Sequence, residues 1–71
     1  MTANTHPAEL VQSVLHRLEN EFGGQLASAH IVETVRGAAR DLEGQIVPEA
    51  FGEMLYRLAY VRLDRAVLAT A

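Results

Sequence analysis

Cysteine and lysine are both absent from this 71-residue sequence, and the absence of cysteine excludes several kinds of chemistry. Without cysteine there is no disulfide bond, thiolate zinc site, cysteine-held iron–sulfur cluster or cysteine nucleophile. The six basic residues are all arginines and nine acidic residues outnumber them, so the formal net charge is -3. Because a phosphate backbone is normally bound by a concentrated positive field, this balance argues against nucleic acid as a partner.

Long apolar runs are also missing. No segment approaches the roughly 18 consecutive apolar residues that a membrane-spanning helix needs. The stretch from Met1 to Ala8 is polar and lacks a basic region followed by an apolar one, so no signal peptide is predicted. A cytoplasmic location, without membrane contact, is therefore expected.

The composition is that of a globular domain, with 49% hydrophobic and 21% charged residues. Prolines and glycines divide the chain into three segments, and apolar residues recur in each at the three- and four-residue intervals of a helix. We expect an all-α fold, a three-helix bundle with the third helix longest. The bundle is predicted over residues 6–71, after a flexible tail over residues 1–5.

The first two helices have clear predicted ends. The first begins at Pro7 and stops at Gly23-Gly24, where glycine is expected to form a left-handed cap. The second is expected to start with Ser28 as its N-cap and to stop at Gly44. Two apolar stripes are predicted to face the core: Leu10, Val11, Val14, Leu15, Leu18 and Phe22 in the first helix, and Ile31, Val32, Val35, Ala38, Ala39 and Leu42 in the second.

The third helix is predicted from Pro48 to about Leu68, and its apolar residues cover about 280° of its circumference. One stripe is expected to face the core: Phe51, Met54, Leu55, Leu58 and Val61. A second stripe is predicted to be an interface with another helical surface: Tyr56, Tyr60, Leu63 and Val67. A helix that is apolar on most sides needs cover from outside a small bundle.

No arrangement of residues indicates catalysis. The histidines, His6, His16 and His30, lie far apart, and none has a second histidine at helical spacing. They are interpreted as solvated side chains rather than metal ligands. Gly23-Gly24 is not followed by the GK[ST] of a phosphate-binding loop. We therefore expect no enzyme activity, no catalytic residues, no cofactor and no metal.

Three motifs resemble a known family: Glu21-Phe22-Gly23-Gly24; Val32-x-x-Val35-x-x-Ala38-x-Arg40-x-Leu42; and Pro48 followed by Arg57-Leu58-Ala59-x-x-Arg62-Leu63. Through them the chain resembles the actinobacterial three-helix bundle dimerisation domain over roughly residues 10 to 65. That module occurs as a short independent protein and as an N-terminal extension of some low-molecular-weight-phosphatase-like arsenate reductases. The resemblance implies dimerisation through helices and no catalysis by the module. The chain departs from the family at residues 51–54, where the family has a more continuous aliphatic start to its third helix.

The leading hypothesis is a non-catalytic association module that homodimerises through its third helix. One alternative is a hetero-adaptor that binds a helix of a different protein, because an apolar stripe does not state whose surface covers it. Another is a small DNA-binding helical domain that uses Arg57, Arg62 and Arg65. The pathway, the identity of the partner, the symmetry of a dimer and any small ligand are not indicated by the sequence.

Overall fold

The computed structural model describes residues 7–45 and 48–70, and within these ranges it contains three α-helices and no strand. The helices are α1, Pro7–Phe22; α2, Ser28–Leu42; and α3, Pro48–Thr70. The predicted all-α three-helix bundle, with the third helix longest, is confirmed. The tail predicted over residues 1–5 lies outside the described residues.

The end of α1 differs in mechanism from the prediction. The backbone N–H of Gly23 donates to the carbonyl oxygen of Glu19 at 2.8 Å, so helical hydrogen bonding continues through this residue. Neither Gly23 nor Gly24 has a positive φ, and the predicted left-handed cap is wrong. Glycine is needed at position 23 for space, because a Cβ there would lie 2.5 Å from the Glu19 carbonyl oxygen.

The start of α2 is also corrected. Its N-cap is Ala27 rather than Ser28, and no side chain caps the helix. The hydroxyl of Ser28 instead donates to Glu19 on α1, with 2.9 Å between Ser28 Oγ and Glu19 Oε2. At the other end Gly44 has a φ of +80°, a conformation that favours glycine, so the predicted stop is confirmed.

The core lies where the three helices meet, and each helix supplies three of its nine buried side chains: Val14, Leu18 and Phe22; Ile31, Val35 and Ala38; Leu55, Ala59 and Leu63. The buried residues of α1 and α2 all belong to their predicted stripes. Within the described residues no polar or charged side chain is buried. Burial of apolar surface is therefore the main favourable contribution to folding.

The core-facing side of α3 agrees only in part with the prediction: Leu55 is buried and Phe51 and Leu58 pack against the core, as expected. The buried residues form a line with four-residue spacing: Leu55 from the predicted core stripe, Leu63 from the predicted interface stripe, and Ala59 between them. Met54 and Val61, expected in the core, are exposed. Ala59 lies at the centre of the line and is fully buried, where a larger side chain would need more room between the closely packed helices.

The end of α3 has less cover than the rest of the bundle. α1 and α3 run in the same direction, because Leu10 lies beside Gly52 and Phe22 beside Tyr60. α3 has 23 residues, against 16 in α1 and 15 in α2. At about 1.5 Å per residue it is longer than either by about 10 Å. Its last residues, 68–70, are exposed.

Gly37 lies under a side chain that connects α2 and α3. Arg62 on α3 donates from Nη2 to Asp41 Oδ2 on α2 at 2.6 Å. A Cβ at Gly37 would have Nη1 of the same guanidinium as its neighbour, at 4.0 Å, which is ordinary van der Waals contact. The glycine therefore leaves room for the guanidinium across α2, and alanine would still fit.

Replacing Gly37 with alanine is expected to raise the free energy of unfolding by about 1 kcal/mol, the usual helix-propensity difference. Urea denaturation followed by circular dichroism measures the change. The same replacement at Gly44 is the matched control and should lower stability, because its φ of +80° strains an alanine. A loss of stability in Gly37→Ala would show that the Arg62 contact tolerates no added carbon.

Leu63→Ala is expected to lower the free energy of unfolding by about 2–5 kcal/mol, because it leaves a cavity in the core. Leu68 is 68% exposed, so Leu68→Ala should change the stability of the isolated chain by less than about 0.5 kcal/mol. Both are measured by urea denaturation at low protein concentration. Equal effects of the two substitutions would contradict the placement of Leu63 in the core.

Candidate functional site

All the large hydrophobic side chains that are exposed in the described residues lie on α3. They are Met54 at 38%, Tyr60 at 40%, Val61 at 46% and Leu68 at 68% exposure. α1 and α2 bury or half-bury their own large apolar residues against the core. Single exposed apolar residues are normal on a protein surface, but their restriction to one helix is a feature of this bundle.

Three of these residues repeat at seven-residue intervals, Met54, Val61 and Leu68. Leu58 and Arg65 lie between these residues, and Phe51 precedes them. Together they form a row in which successive residues are alternately three and four positions apart along α3. We call this row the α3 seam: Phe51, Met54, Leu58, Val61, Arg65 and Leu68. Alternating steps of three and four are the spacing by which one helix packs along another in a coiled coil.

Charged residues border the α3 seam on its solvent side. Arg57 and Asp64 are both exposed, lie seven residues apart, and each immediately precedes a seam residue. On the other side the seam is bordered by Leu55, which is in the core, and by Arg62, which is bonded to Asp41. A helix docking on the seam would therefore meet one charge of each sign along its open flank.

The tyrosine side of α3 is occupied by α1. The Tyr56 hydroxyl donates to Glu21, with 2.8 Å to Oε1 and 3.0 Å to Oε2. The Arg17 guanidinium carbon lies 4.2 Å from the centre of the Tyr56 ring, in a cation–π contact. The Tyr60 ring packs edge-on against Phe22, with 5.2 Å between ring centres. Both rings therefore contribute to the packing of α1 against α3.

The four residues predicted as an interface do not share one environment. Leu63 is fully buried in the core, so its assignment to a surface is corrected: a partner would reach it only by opening the bundle. Tyr56 and Val67 are half-buried and pack against the core, and Tyr60 is exposed. The sequence reasoning missed the exposed α3 seam, although the seven-residue repeat from Met54 to Leu68 is visible in the sequence.

The arginines considered for DNA binding do not form one surface. Arg62 is engaged with Asp41, while Arg57 and Arg65 are exposed on either side of the line through Val61 and Leu68.

His16 and His30 are exposed, and His6 lies outside the described residues. No group of three or more histidine or acidic residues is placed to hold a metal ion within the described ranges. None of the three helices, as far as they are described, has the length and apolarity to cross a membrane.

A shallow groove of about 480 Å³ runs between α1 and the first half of α3. Its lining mixes apolar, hydroxyl and charged groups: Leu10, Ser13, Val14, Arg17, Gly52, Glu53, Tyr56 and Arg57. The Arg17 and Tyr56 side chains in it contact each other, and no buried polar group is directed into it. The groove therefore has no feature that selects a small ligand.

No protein-family model, curated protein or solved structure matches this chain. The similarity to the three-helix bundle dimerisation domain, noted from the motifs, therefore stays a prediction.

The pKa of Tyr56 is raised above its ordinary value of 10.0, first by the hydrogen bond to Glu21, then by partial burial and by the Glu21 charge, while Arg17 acts in the opposite direction. A pKa that is higher in the folded than in the unfolded chain stabilises the fold below pH 10. This contribution is lost as the pH rises through the folded-state pKa. Glu21→Gln is expected to move the pKa of Tyr56 back towards its ordinary value.

Absorbance of ionised tyrosine measures this shift, since the chain has two tyrosines and no tryptophan. The control is Glu9→Gln, which removes the same charge from an exposed position on the first turn of α1. An unchanged titration in Glu21→Gln would contradict the Tyr56–Glu21 bond.

Proposed function

We propose that this chain is a non-catalytic association module that homodimerises through α3, with the α3 seam as its contact surface. The observation that carries the proposal is the restriction of exposed large apolar residues to α3, three of them at seven-residue intervals. This is the spacing of helices that pack side by side. A cytoplasmic location belongs to the same proposal and rests on the sequence alone.

The size of the bundle supports self-association. A core of this size rarely supplies more than about 3–5 kcal/mol, and small domains commonly add disulfides, metals or oligomerisation. The sequence has no cysteine, which removes the first of these. Each Å² of apolar surface that the seam buries against a partner contributes about 25 cal/mol, and binding to the folded state raises its apparent stability.

The seam is a better contact surface than the tyrosine side. The Tyr56 hydroxyl and the Tyr60 ring already have partners on α1. Met54, Val61 and Leu68 are between 38% and 68% exposed. Covering them removes apolar surface from water without breaking a contact within the chain.

Sedimentation equilibrium of the wild-type chain at micromolar concentrations is expected to give the mass of a dimer. Val61→Glu should raise the dimer dissociation constant by about 100-fold, because it places a carboxylate from each chain in an apolar contact. Circular dichroism should show unchanged helicity, since Val61 is 46% exposed in the single chain.

Gln12→Glu is the matched control: it adds the same charge at an exposed position on α1, away from the seam, and should leave the dimer intact. A wild-type chain that stays monomeric at high micromolar concentration would contradict homodimerisation. If both substitutions weakened the dimer equally, the cause would be the added net charge rather than a contact at the seam.

A further inference from the structure

We propose that two copies of the chain pair their α3 helices antiparallel, with Arg57 of each copy facing Asp64 of the other. This inference rests on the proposed function and adds the orientation, the register and the charged contacts of the dimer. Three features of the α3 seam carry it: its spacing, the position of Arg65, and the charges on its open flank.

The spacing of the seam reads the same in both directions. From Phe51 to Leu68 the steps are three, four, three, four and three residues, so reversing the helix reproduces the order. In an antiparallel pair every seam residue therefore meets a seam residue of the second copy. Leu58 lies opposite Val61, Met54 opposite Arg65, and Phe51 opposite Leu68.

The position of Arg65 favours the antiparallel arrangement over a parallel one. In a parallel pair in register, each seam residue meets its own copy, so two Arg65 guanidinium groups would face each other inside the contact. Like charges brought side by side repel each other, even where the guanidinium groups reach water at the edge of the contact. In the antiparallel pair each Arg65 instead crosses the flexible side chain of Met54. Its aliphatic stem covers that side chain while the guanidinium reaches water at the seam edge.

The charges beside the seam also favour the antiparallel arrangement over the parallel one. Arg57 and Asp64 lie on the open flank, where charged residues of paired helices meet across the contact. In the antiparallel register Arg57 of one copy faces Asp64 of the other, and the two-fold symmetry forms this ion pair twice. In a parallel pair, Arg57 would instead approach Arg62 of the second copy, which repels it. Both exposed charges of the flank are thus complementary in one orientation only.

Charge exchange tests the pairing. Arg57→Asp and Asp64→Arg should each raise the dissociation constant of the dimer about tenfold, because each replaces two attractions by two repulsions. An equimolar mixture of the two variants should associate as wild type does, since every contact then joins opposite charges. The double variant should also recover. In a parallel dimer Arg57→Asp would instead tighten association, by meeting Arg62.

Disulfide trapping tests the orientation independently. Because the chain has no native cysteine, only introduced cysteines can form a crosslink. Met54→Cys and Arg65→Cys should form a crosslinked dimer when mixed under mild oxidation. Neither should crosslink with itself, because identical positions lie 11 residues, about 16 Å, apart in the antiparallel register and a disulfide needs Cα atoms within about 7 Å.

Efficient crosslinking of either variant with itself, or charge variants that are not rescued by mixing, would overturn the antiparallel pairing. If the antiparallel pairing is overturned but the wild-type chain still sediments as a dimer, homodimerisation itself remains supported. A wild-type chain that is monomeric removes both proposals together.

Discussion

The burial of Leu55, Ala59 and Leu63 along one line of α3 is the constraint on which the rest of the structure depends. All three side chains are fully buried against α1 and α2. Fixing this line fixes the rotation of α3 about its own axis, and every other residue of the helix then has a determined direction. The tyrosines turn towards α1, Arg62 turns towards α2, and four residues of the α3 seam are left exposed: Met54, Val61, Arg65 and Leu68.

The contacts on the two sides of this line differ in strength. Arg62 and Asp41 form an exposed ion pair, a kind of contact that contributes at most about 1 kcal/mol. Tyr56 and Tyr60 contribute more through ring area, packed on Arg17 and Phe22 of α1. Together they hold α3 between its neighbours by its sides. None of them covers the face opposite the core, where Val61 lies.

The proposed dimer follows from this uneven cover. α1 and α2 are shorter than α3 and present polar residues to water, whereas α3 keeps apolar side chains exposed along much of its length. A second α3 is a suitable cover, because it offers the same seam in reverse order and opposite charges on the open flank. In the proposed dimer, self-association would complete the apolar burial that one small bundle leaves unfinished.

The sequence by itself determined the three helices, the stop at Gly44 and the buried stripes of α1 and α2, because polar and apolar residues separate cleanly there and periodicity identifies one face. It did not determine which side of α3 is buried, since apolar residues surround most of that helix and several rotations satisfy its periodicity. Packing against α1 and α2 made the choice, with Ala59 and Leu63 inside and Val61 outside. It also decided that Ser28 bonds to Glu19 instead of capping α2, because that partner is distant in sequence and meets it only in the folded chain.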